Sequence, residues 1–218
     1  MVKYMKIVGI TDLHGKLPPA VREFKDFADV LVVCGDITHF GKGIEVIEKL
    51  AELSDYMEVL CVPGNCDTKE VIDELNSFKL NIDRKVKKIE NINFVGIGGS
   101  NKTPFNTPNE YTEEEIYNKL INVVKNLKNI FLVSHAPPYN TMADIVDLDK
   151  DIHVGSKSIR KIIEDFNENI RFCACGHIHE SRCIDKIGNT IVVNPSPKSY
   201  FVYDTKKNMV VLDDFNGF

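Results

Sequence analysis

The sequence has no apolar run long enough to cross a membrane, and the apolar stretch near its start is too short for a signal peptide. It also has no basic excess, since 27 lysines and arginines stand against 32 aspartates and glutamates, for a net charge of -5. An acidic balance argues against a broad nucleic-acid surface, which usually needs clustered positive charge. These absences predict a cytoplasmic protein with neither membrane nor nucleic acid as its partner.

Cysteines are too few for a disulfide scaffold, with six in 218 residues. Cys34, Cys61, Cys173 and Cys175 lie in or at the ends of apolar runs, where free thiols behave as small hydrophobes. No internal repeat, low-complexity tract or linker divides the chain. Its length suits one domain with a sizeable core, so we predict a single domain over residues 1–218 and leave room for a homo-oligomer.

Short apolar runs alternate with amphipathic segments through much of the chain, which is typical of α/β proteins. We predict strands over Lys6–Thr11, Val30–Cys34, Met57–Val62, Lys85–Ile89, Ile92–Ile97, Ile130–Ser134, Arg171–Cys175, Ile191–Val193, Ser199–Tyr203 and Met209–Leu212. We predict helices from about Pro18 to Ala28 and over Ile44–Leu53, Lys69–Phe78, Thr112–Leu127 and Ile159–Phe166. The loops Ser100–Asn109 and Tyr139–Gly155 lack such a pattern, and long loops are often functional.

The stretch Cys173–His179 reads C-A-C-G-H-I-H and follows a predicted strand. In extended backbone alternate side chains share a face, so His177 and His179 can point into one pocket. Neutral imidazole is the commonest protein metal ligand, and two converging imidazoles are a natural start for a metal site. Two neighbouring histidines on a loop are otherwise usually solvated, so the pair needs partners from elsewhere in the chain.

Such partners stand at the ends of four other apolar runs. In chain order the five strand ends carry Asp12 with His14, Asp36, Asn65, His135, and His177 with His179. Sites in α/β sheets form at the carboxyl ends of strands, where loops from several strands converge. The sequence therefore predicts that these side chains meet at one metal or phosphate site.

A second D-x-H sequence provides an internal control. Asp151 and His153 repeat the spacing of Asp12 and His14, but no apolar run precedes them. Without a buried strand to deliver them to the site, Asp151 is expected to be solvated. The metal assignment is therefore kept for Asp12 and His14.

The five strand ends together resemble the motifs of the calcineurin-like metallophosphoesterases. The motifs are D-L-H at 12–14, G-D at 35–36, G-N-C-D at 64–67, S-H-A-P-P at 134–138 and G-H-I-H at 176–179. The resemblance spans residues 6 to 179, and five motifs in this order are highly specific. The G-N-C-D sequence is similar to that of small bacterial and archaeal phosphodiesterases of the family.

The resemblance implies a fold of two facing mixed β-sheets flanked by helices, a four-layer αββα sandwich, with a two-metal centre at the strand ends. By motif, one metal would be held by Asp12, His14, Asp36 and His179. The other would be held by Asp36, Asn65, His135 and His177, so that Asp36 bridges. Asp36 and Asn65 would thus be the catalytic residues at the centre of the site.

This ligand set suits hydrolysis of phosphoesters. Paired metals can hold a bridging hydroxide for in-line attack and clamp the phosphate oxygens. Mixed oxygen and imidazole ligands suit two divalent ions of manganese, iron, zinc or nickel better than calcium. No thiolate joins the expected ligand set, so a structural zinc site is not expected at the C-A-C sequence.

One position departs from the commonest family pattern. Many relatives carry a histidine after the asparagine of G-N, where it contacts phosphate and helps the leaving group depart, whereas this chain has Cys66. A thiol at its usual pKa of about 8.5 is mostly neutral and cannot donate charge as imidazolium can. Protonation of the leaving group is thus unassigned, and Asp67, without its usual partner, is expected to have a structural role in the turn.

Further substrate contacts are expected from Asn65, Cys66, His39 and Asn101. His39 could reach phosphate from the rim, although the simpler interpretation is a solvated loop histidine. Asn101 follows a double glycine, where asparagine often serves only to form a turn.

The sequence favours a phosphodiesterase that acts on a small phosphoester. The alternatives are a phosphomonoesterase, a nuclease, or an interaction scaffold such as the retromer subunit that uses this fold for binding. The acidic balance argues against the nuclease. All seven ligand positions survive here, whereas that subunit has lost part of its set, which argues against the scaffold.

Overall fold

The apolar runs form two mixed β-sheets in a computed structural model, which describes residues 4–215. The strands are β1 (Lys6–Ile10), β2 (Val30–Cys34), β3 (Glu58–Val62), β4 (Val86–Ile89), β5 (Ile92–Ile97), β6 (Ser100–Asn101), β7 (Glu110–Tyr111), β8 (Ile130–Ser134), β9 (Ile145–Asp147), β10 (Ile152–His153), β11 (Ile170–Ala174), β12 (Cys183–Ile187), β13 (Thr190–Asn194), β14 (Ser199–Asp204) and β15 (Met209–Asp214). The helices are α1 (Val46–Glu52), α2 (Lys69–Ser77), α3 (Glu113–Val124) and α4 (Lys157–Asp165), and 3-10 helices cover Pro19–Asp26, Leu53–Asp55 and Met142–Asp144.

The first sheet has the strand order β15-β14-β1-β2-β3, in which β1, β2 and β3 are parallel and β14 and β15 are antiparallel. The second has the order β12-β13-β11-β8-β5-β4, with four parallel central strands and an antiparallel strand at each edge. Parallel neighbours end at the same edge of a sheet. The residues that follow β1, β2 and β3 therefore emerge together, as do those that follow β8 and β11.

The two sheets pack face to face around an aromatic core. Phe94, Phe131 and Phe172 of the second sheet contact apolar residues of the first, among them Val32 and Phe201. The rings of Phe131 and Phe172 stack with centroids 4.5 Å apart. The inner faces thus bury their side chains on each other, as expected of a layered α/β protein.

Helices cover the two outer faces. Residues of α1, α2 and the 3-10 helix Pro19–Asp26 pack on the first sheet, and residues of α3 and α4 pack on the second. Helix α3 begins with a capping box, in which Thr112 and Glu115 bond each other's backbone N–H groups. The layers follow the order helix, sheet, sheet, helix, which confirms the predicted fold class.

The structure differs from the sequence prediction in several segments, among them the predicted loop Ser100–Asn109, which begins with strand β6. The predicted helix from Pro18 is a 3-10 helix, in which Val21 N–H donates to Pro18 O. The Tyr139–Gly155 stretch contains the short hairpin of β9 and β10. Strand β12 was not predicted, because it is an edge strand with polar residues at Asp185 and Lys186. None of the helices between residues 4 and 215 combines the length and apolar character of a membrane span.

Candidate metal centre

Four of the predicted ligands have backbone conformations that residues other than glycine rarely adopt. Asp12, His14, Asp36 and His177 have φ angles of 54°, 46°, 47° and 70°. The left-handed conformation costs about 1–2 kcal/mol per residue, so the surrounding structure must hold it in place. Backbone strain of this kind is concentrated at functional sites.

Backbone hydrogen bonds hold the loops after β1 and β2 side by side. The N–H groups of Asp12 and His14 donate to the carbonyls of Gly35 and Asp36 over 3.0 and 2.9 Å. The His177 N–H donates to Asp12 Oδ2 at 3.1 Å, which ties the loop after β11 to the same place. The strained residues from three strand ends are therefore locked to one another.

The first ligand group consists of Asp12, His14 and His179, whose ligand atoms all lie within 4.8 Å of one another. His179 Nε2 lies 3.4 Å from both His14 Nε2 and Asp12 Oδ1. Asp36 Oδ2 lies 3.9 Å from His14 Nε2. These four side chains are the ones expected at the first metal position.

The second group joins the fully buried His135 to Asp12 and Asp36, and the ligand atoms of these three residues all lie within 4.8 Å of one another. His135 Nε2 lies 2.8 Å from Asn65 Oδ1 and 3.4 Å from Asp36 Oδ1. The rings of His135 and His177 are 4.9 Å apart between centroids. Asp36 thus presents Oδ1 to this group and Oδ2 to the first.

The second group brings together atoms that all carry lone pairs. His135 Nδ1 lies 2.8 Å from the carbonyl oxygen of Cys34, which only accepts, so Nδ1 carries the proton. In the neutral ring, the lone pair of Nε2 then faces the lone pairs of Asn65 Oδ1 and Asp36 Oδ1. A metal ion placed among these atoms would meet a lone pair from each of them.

Two further observations fit divalent ions at this site. Asp12 Oδ1 is buried and makes no hydrogen bond within residues 4–215. Burial and the nearby His135 lower the pKa of His177 to about 4. His177 is therefore neutral at physiological pH, the form in which imidazole binds metal.

The glycines of the G-D and G-N motifs make room for the ligands. A Cβ at Gly35, which has φ 91°, would lie 2.3 Å from His135 Nδ1, and one at Gly64 would lie 2.0 Å from Asp36 Oδ1. Both separations are far below van der Waals contact. Each glycine is therefore required by a ligand from another strand end.

Asp67 has the structural role that the sequence suggests. Its buried carboxylate accepts hydrogen bonds from the N–H groups of Ile37, Thr38 and Gly64 at 3.0, 2.8 and 2.8 Å, and from the Thr38 hydroxyl at 2.8 Å. These bonds clamp the loop after β2 to the loop after β3. Asp67 thereby holds Asp36 and Asn65 in their relative positions.

Cys66 lies beside the second group and is half-buried. Its N–H donates to Asp36 Oδ1 at 2.9 Å, and its Sγ lies 3.7 Å from Asn65 Nδ2. Burial and the Asp36 carboxylate raise the pKa of the thiol above its ordinary value. Cys66 is thus a neutral thiol at physiological pH.

His39 contacts a proposed ligand, whereas Asn101 forms part of a loop contact. His39 is exposed, and its ring centroid is 5.7 Å from that of His14, so it lies at the rim of the first group. Asn101 Nδ2 donates to the carbonyl of Val154 at 3.0 Å, whereas its buried Oδ1 makes no hydrogen bond within residues 4–215.

A cleft of about 1050 Å³ opens beside the ligand groups, and His177 and His179 form part of its wall. The two irregular loops singled out in the sequence contribute Asn101, Phe105 and Tyr139 to its lining. Sequence reasoning identified these loops but missed Thr107 of the first loop, which contacts Asn65, and Glu110 just after that loop, which contacts Thr107. Two polar residues in a proline-containing loop give no periodic signal.

The second D-x-H sequence lies outside both ligand groups. The Asp151 side chain is 82% exposed, as expected of a solvated residue. His153 donates from Nδ1 to the buried Asp144 carboxylate over 2.6 Å, and its Nε2 lies 3.3 Å from Asp151. Asp144 also accepts from the N–H groups of Asn140, Thr141 and Gly155. His153 is therefore part of a hydrogen-bonded network that holds the Tyr139–Gly155 stretch together.

We expect Asp151→Ala and His153→Ala to leave the metal content unchanged, as measured by elemental analysis. His153→Ala should lower the free energy of unfolding by about 1–3 kcal/mol, because it removes a donor from a buried carboxylate. The hydrogen bond to Asp144 raises the pKa of His153 from 6.5, so the difference should be largest below pH 6.5 and shrink above the raised pKa. Loss of metal from either variant would show that strand-end position does not identify the ligands.

Comparison with known proteins finds a matching family profile and structures of similar fold. A profile of the calcineurin-like phosphoesterase family matches residues 5–181. Two solved structures cover 98% of this chain and 100% of their own length, with TM-scores of 0.77 and 0.76 at 19% and 16% identity, and the second is TT1561 of Thermus thermophilus. Purple acid phosphatase PPD1 of yellow lupin has a TM-score of 0.51 at 9% identity, over 97% of this chain and 53% of that one. Similarity at these identities concerns the fold alone.

Proposed function

The chain belongs to the calcineurin-like phosphoesterase family, and on that premise we propose that it hydrolyses phosphodiesters with two divalent metal ions. The observation that carries this proposal is the orientation of the Asp36 carboxylate. Its Oδ2 lies 3.9 Å from His14 Nε2, and its Oδ1 lies 3.4 Å from His135 Nε2. A carboxylate that presents one oxygen to each of two ligand groups has the arrangement of a bridging ligand.

The two groups support the ligand assignment that the motifs imply. Asp12, His14, Asp36 and His179 would hold one ion, and Asp36, Asn65, His135 and His177 would hold the other. When bound, such a pair activates water for attack and neutralises charge on the phosphate. The mixture of oxygen and imidazole ligands suits manganese, iron, zinc or nickel, and the choice among them depends on availability.

The protein's own residues supply position and polarity. Asp36 and Asn65 are the proposed catalytic residues, since both would touch the ions at the centre of the site. His39 and Cys66 would approach phosphate from the rim and from beside Asn65. Asn101 would meet the organic part of the substrate in the cleft, whose wall it helps to form.

The cleft favours a diester over a simple monoester. Its volume of about 1050 Å³ is at the upper end of the range for small-molecule sites, about 300–1,000 Å³. Such a cleft leaves room for a second organic group beside the phosphate. The phosphomonoesterase is the second candidate, because one organic group of sufficient size would also fill it.

A nuclease or a scaffold has less support. The net charge of -5 gives no broad positive surface for nucleic acid. The ligand positions are complete, which a pure binding protein does not require. Location in the cytoplasm and a single domain over residues 1–218 stay predictions.

The proposal is tested by elemental analysis of the purified protein and by assays on 4-nitrophenyl phosphate and bis(4-nitrophenyl) phosphate. We expect two equivalents of metal and a kcat/KM at least tenfold higher for the diester. Higher activity on the monoester would contradict the diester specificity. Two bound metals with no turnover of either ester would contradict hydrolysis and favour the scaffold.

A further inference from the structure

The side-chain amide of Asn65 has two chemically different ends, and only one of them can bind a metal. Oδ1 lies 2.8 Å from His135 Nε2, and Nδ2 lies 2.9 Å from the hydroxyl oxygen of Thr107. If the amide turned over, its NH₂ group would point towards the site and repel a cation. The contact with Thr107 therefore bears on whether Asn65 is a ligand at all.

Thr107 lies in a loop built around the carboxylate of Glu110. Glu110 Oε1 accepts from the Thr107 hydroxyl at 2.6 Å and from the Thr107 N–H at 2.9 Å. It also accepts from the Thr103 hydroxyl at 2.6 Å, and Oε2 accepts from the Thr103 N–H at 3.2 Å. Burial acts to raise the pKa of Glu110, but these hydrogen bonds bring it down to about 2. Glu110 is therefore ionised at any physiological pH and can only accept.

The ionised carboxylate decides the direction of the hydrogen bond at Asn65. A hydroxyl has one proton, and Thr107 must donate it to Glu110, which has none to offer. The Thr107 oxygen can then only accept from its remaining neighbour. It accepts from Asn65 Nδ2, so the amide is held with Oδ1 towards His135 and Asp36.

We propose that Thr107 and Glu110 are positioning residues, which fix the Asn65 amide in the orientation that binds the second metal ion. The inference rests on the proposed two-metal function and adds residues from outside the family motifs. The chain of hydrogen bonds runs from Glu110 through Thr107 to Asn65. Partners of this kind orient metal ligands, and their loss typically costs 10–100-fold in metal affinity or activity.

The same loop has a second anchor that does not depend on Thr107. The Asn109 N–H donates to the carbonyl of Asn65 at 3.0 Å, and Asn109 Nδ2 donates to the carbonyl of Gly64 at 3.0 Å. Strands β6 and β7 also pair at the base of the loop. Removing the Thr107 hydroxyl should therefore leave the loop in place and act on the Asn65 amide alone.

The test is calorimetric titration of the metal-free protein with Mn²⁺. Thr107→Val keeps the shape of the side chain but removes the hydroxyl, and Thr107→Ser restores it. The matched control is Thr103→Val, which removes a hydroxyl from the same carboxylate without touching Asn65. Thermal unfolding of each metal-free variant checks that it folds.

We expect two Mn²⁺ ions per wild-type chain. In Thr107→Val one of them should bind about 10–100-fold more weakly while the other changes less than about twofold, and Thr107→Ser and Thr103→Val should retain both affinities. Unchanged affinities in a folded Thr107→Val would overturn the inference and leave the two-metal function standing. Equal losses in Thr103→Val and Thr107→Val would also overturn it, since they would show a general effect of the loop. Fewer than two ions in the wild type would overturn the proposed function and this inference together.

Discussion

Replacing Asp36 by asparagine should release both metal ions and stop hydrolysis while the chain stays folded. The amide has no negative charge and only one oxygen, so it cannot serve both ligand groups that the carboxylate contacts. We expect fewer than one tightly bound ion per chain. Loss of a residue that hydrogen-bonds to a metal ligand typically costs 10–100-fold in activity. Because Asp36 is itself a proposed ligand, hydrolysis should fall by more than about 100-fold.

Asparagine is the right substitution because of the backbone at this position. Asp36 has φ 47°, and asparagine tolerates the left-handed conformation better than alanine does. The amide oxygen can still accept from the Cys66 N–H, which donates to Asp36 Oδ1 in the wild type. Circular dichroism should therefore be unchanged.

The matched control for Asp36→Asn is the same change at Asp151, whose side chain is 82% exposed. Elemental analysis and diester hydrolysis are measured on both variants. Asp151→Asn should keep two ions and full activity. An Asp36→Asn variant that also keeps two ions and full activity would show that Asp36 does not bridge the metal ions.

The second large effect concerns the leaving group, because Cys66 stands where many relatives carry a histidine. Its thiol is neutral, since burial and Asp36 raise its pKa, and it cannot act as imidazolium does. General-acid help contributes about 10²–10⁴-fold when the geometry allows. Without that help, we expect activated aryl diesters to react much faster than alkyl diesters.

A series of diesters with leaving groups of graded pKa measures this dependence. Cys66→His should weaken this dependence, because it should accelerate hydrolysis of the diesters with the poorest leaving groups. The gain is limited, since the pocket has the shape of a thiol side chain. Cys66→Ala is the control, and its dependence should match that of the wild type. If the wild-type rate does not vary with leaving-group pKa while chemistry is rate-limiting, another residue supplies the proton, and His39→Ala is the first variant to measure.

Most strands of the two sheets could be predicted from the sequence, because the central strands are buried on both faces. Val30–Cys34 and Ile130–Ser134 are buried throughout, and Asp36 and His135 follow them within two residues, so strand and site residue could be read together. Strand β12 escaped prediction because it lies at a sheet edge, where exposed and half-buried positions alternate without an apolar run. Burial, and not strand formation itself, produced the signal.

The seven proposed ligands could be placed in one region from the sequence, but their relative orientation could not. Asp36 turns one oxygen to His14 and the other to His135. This orientation depends on the hydrogen bonds of Asp67 and on two glycines. Thr107 and Glu110 reach the site through side-chain hydrogen bonds from an irregular loop. Such contacts have no period and no spacing rule, so only the folded chain reveals them.

The most direct test of the two-metal account is an anomalous X-ray diffraction map of crystals grown with Mn²⁺. Two peaks about 3.5–4 Å apart are expected, the usual spacing of paired catalytic metals, with Asp36 between them. One peak should lie against His14 and His179, and the other against Asn65 and His135. A single peak, or a peak at His153, would contradict the account.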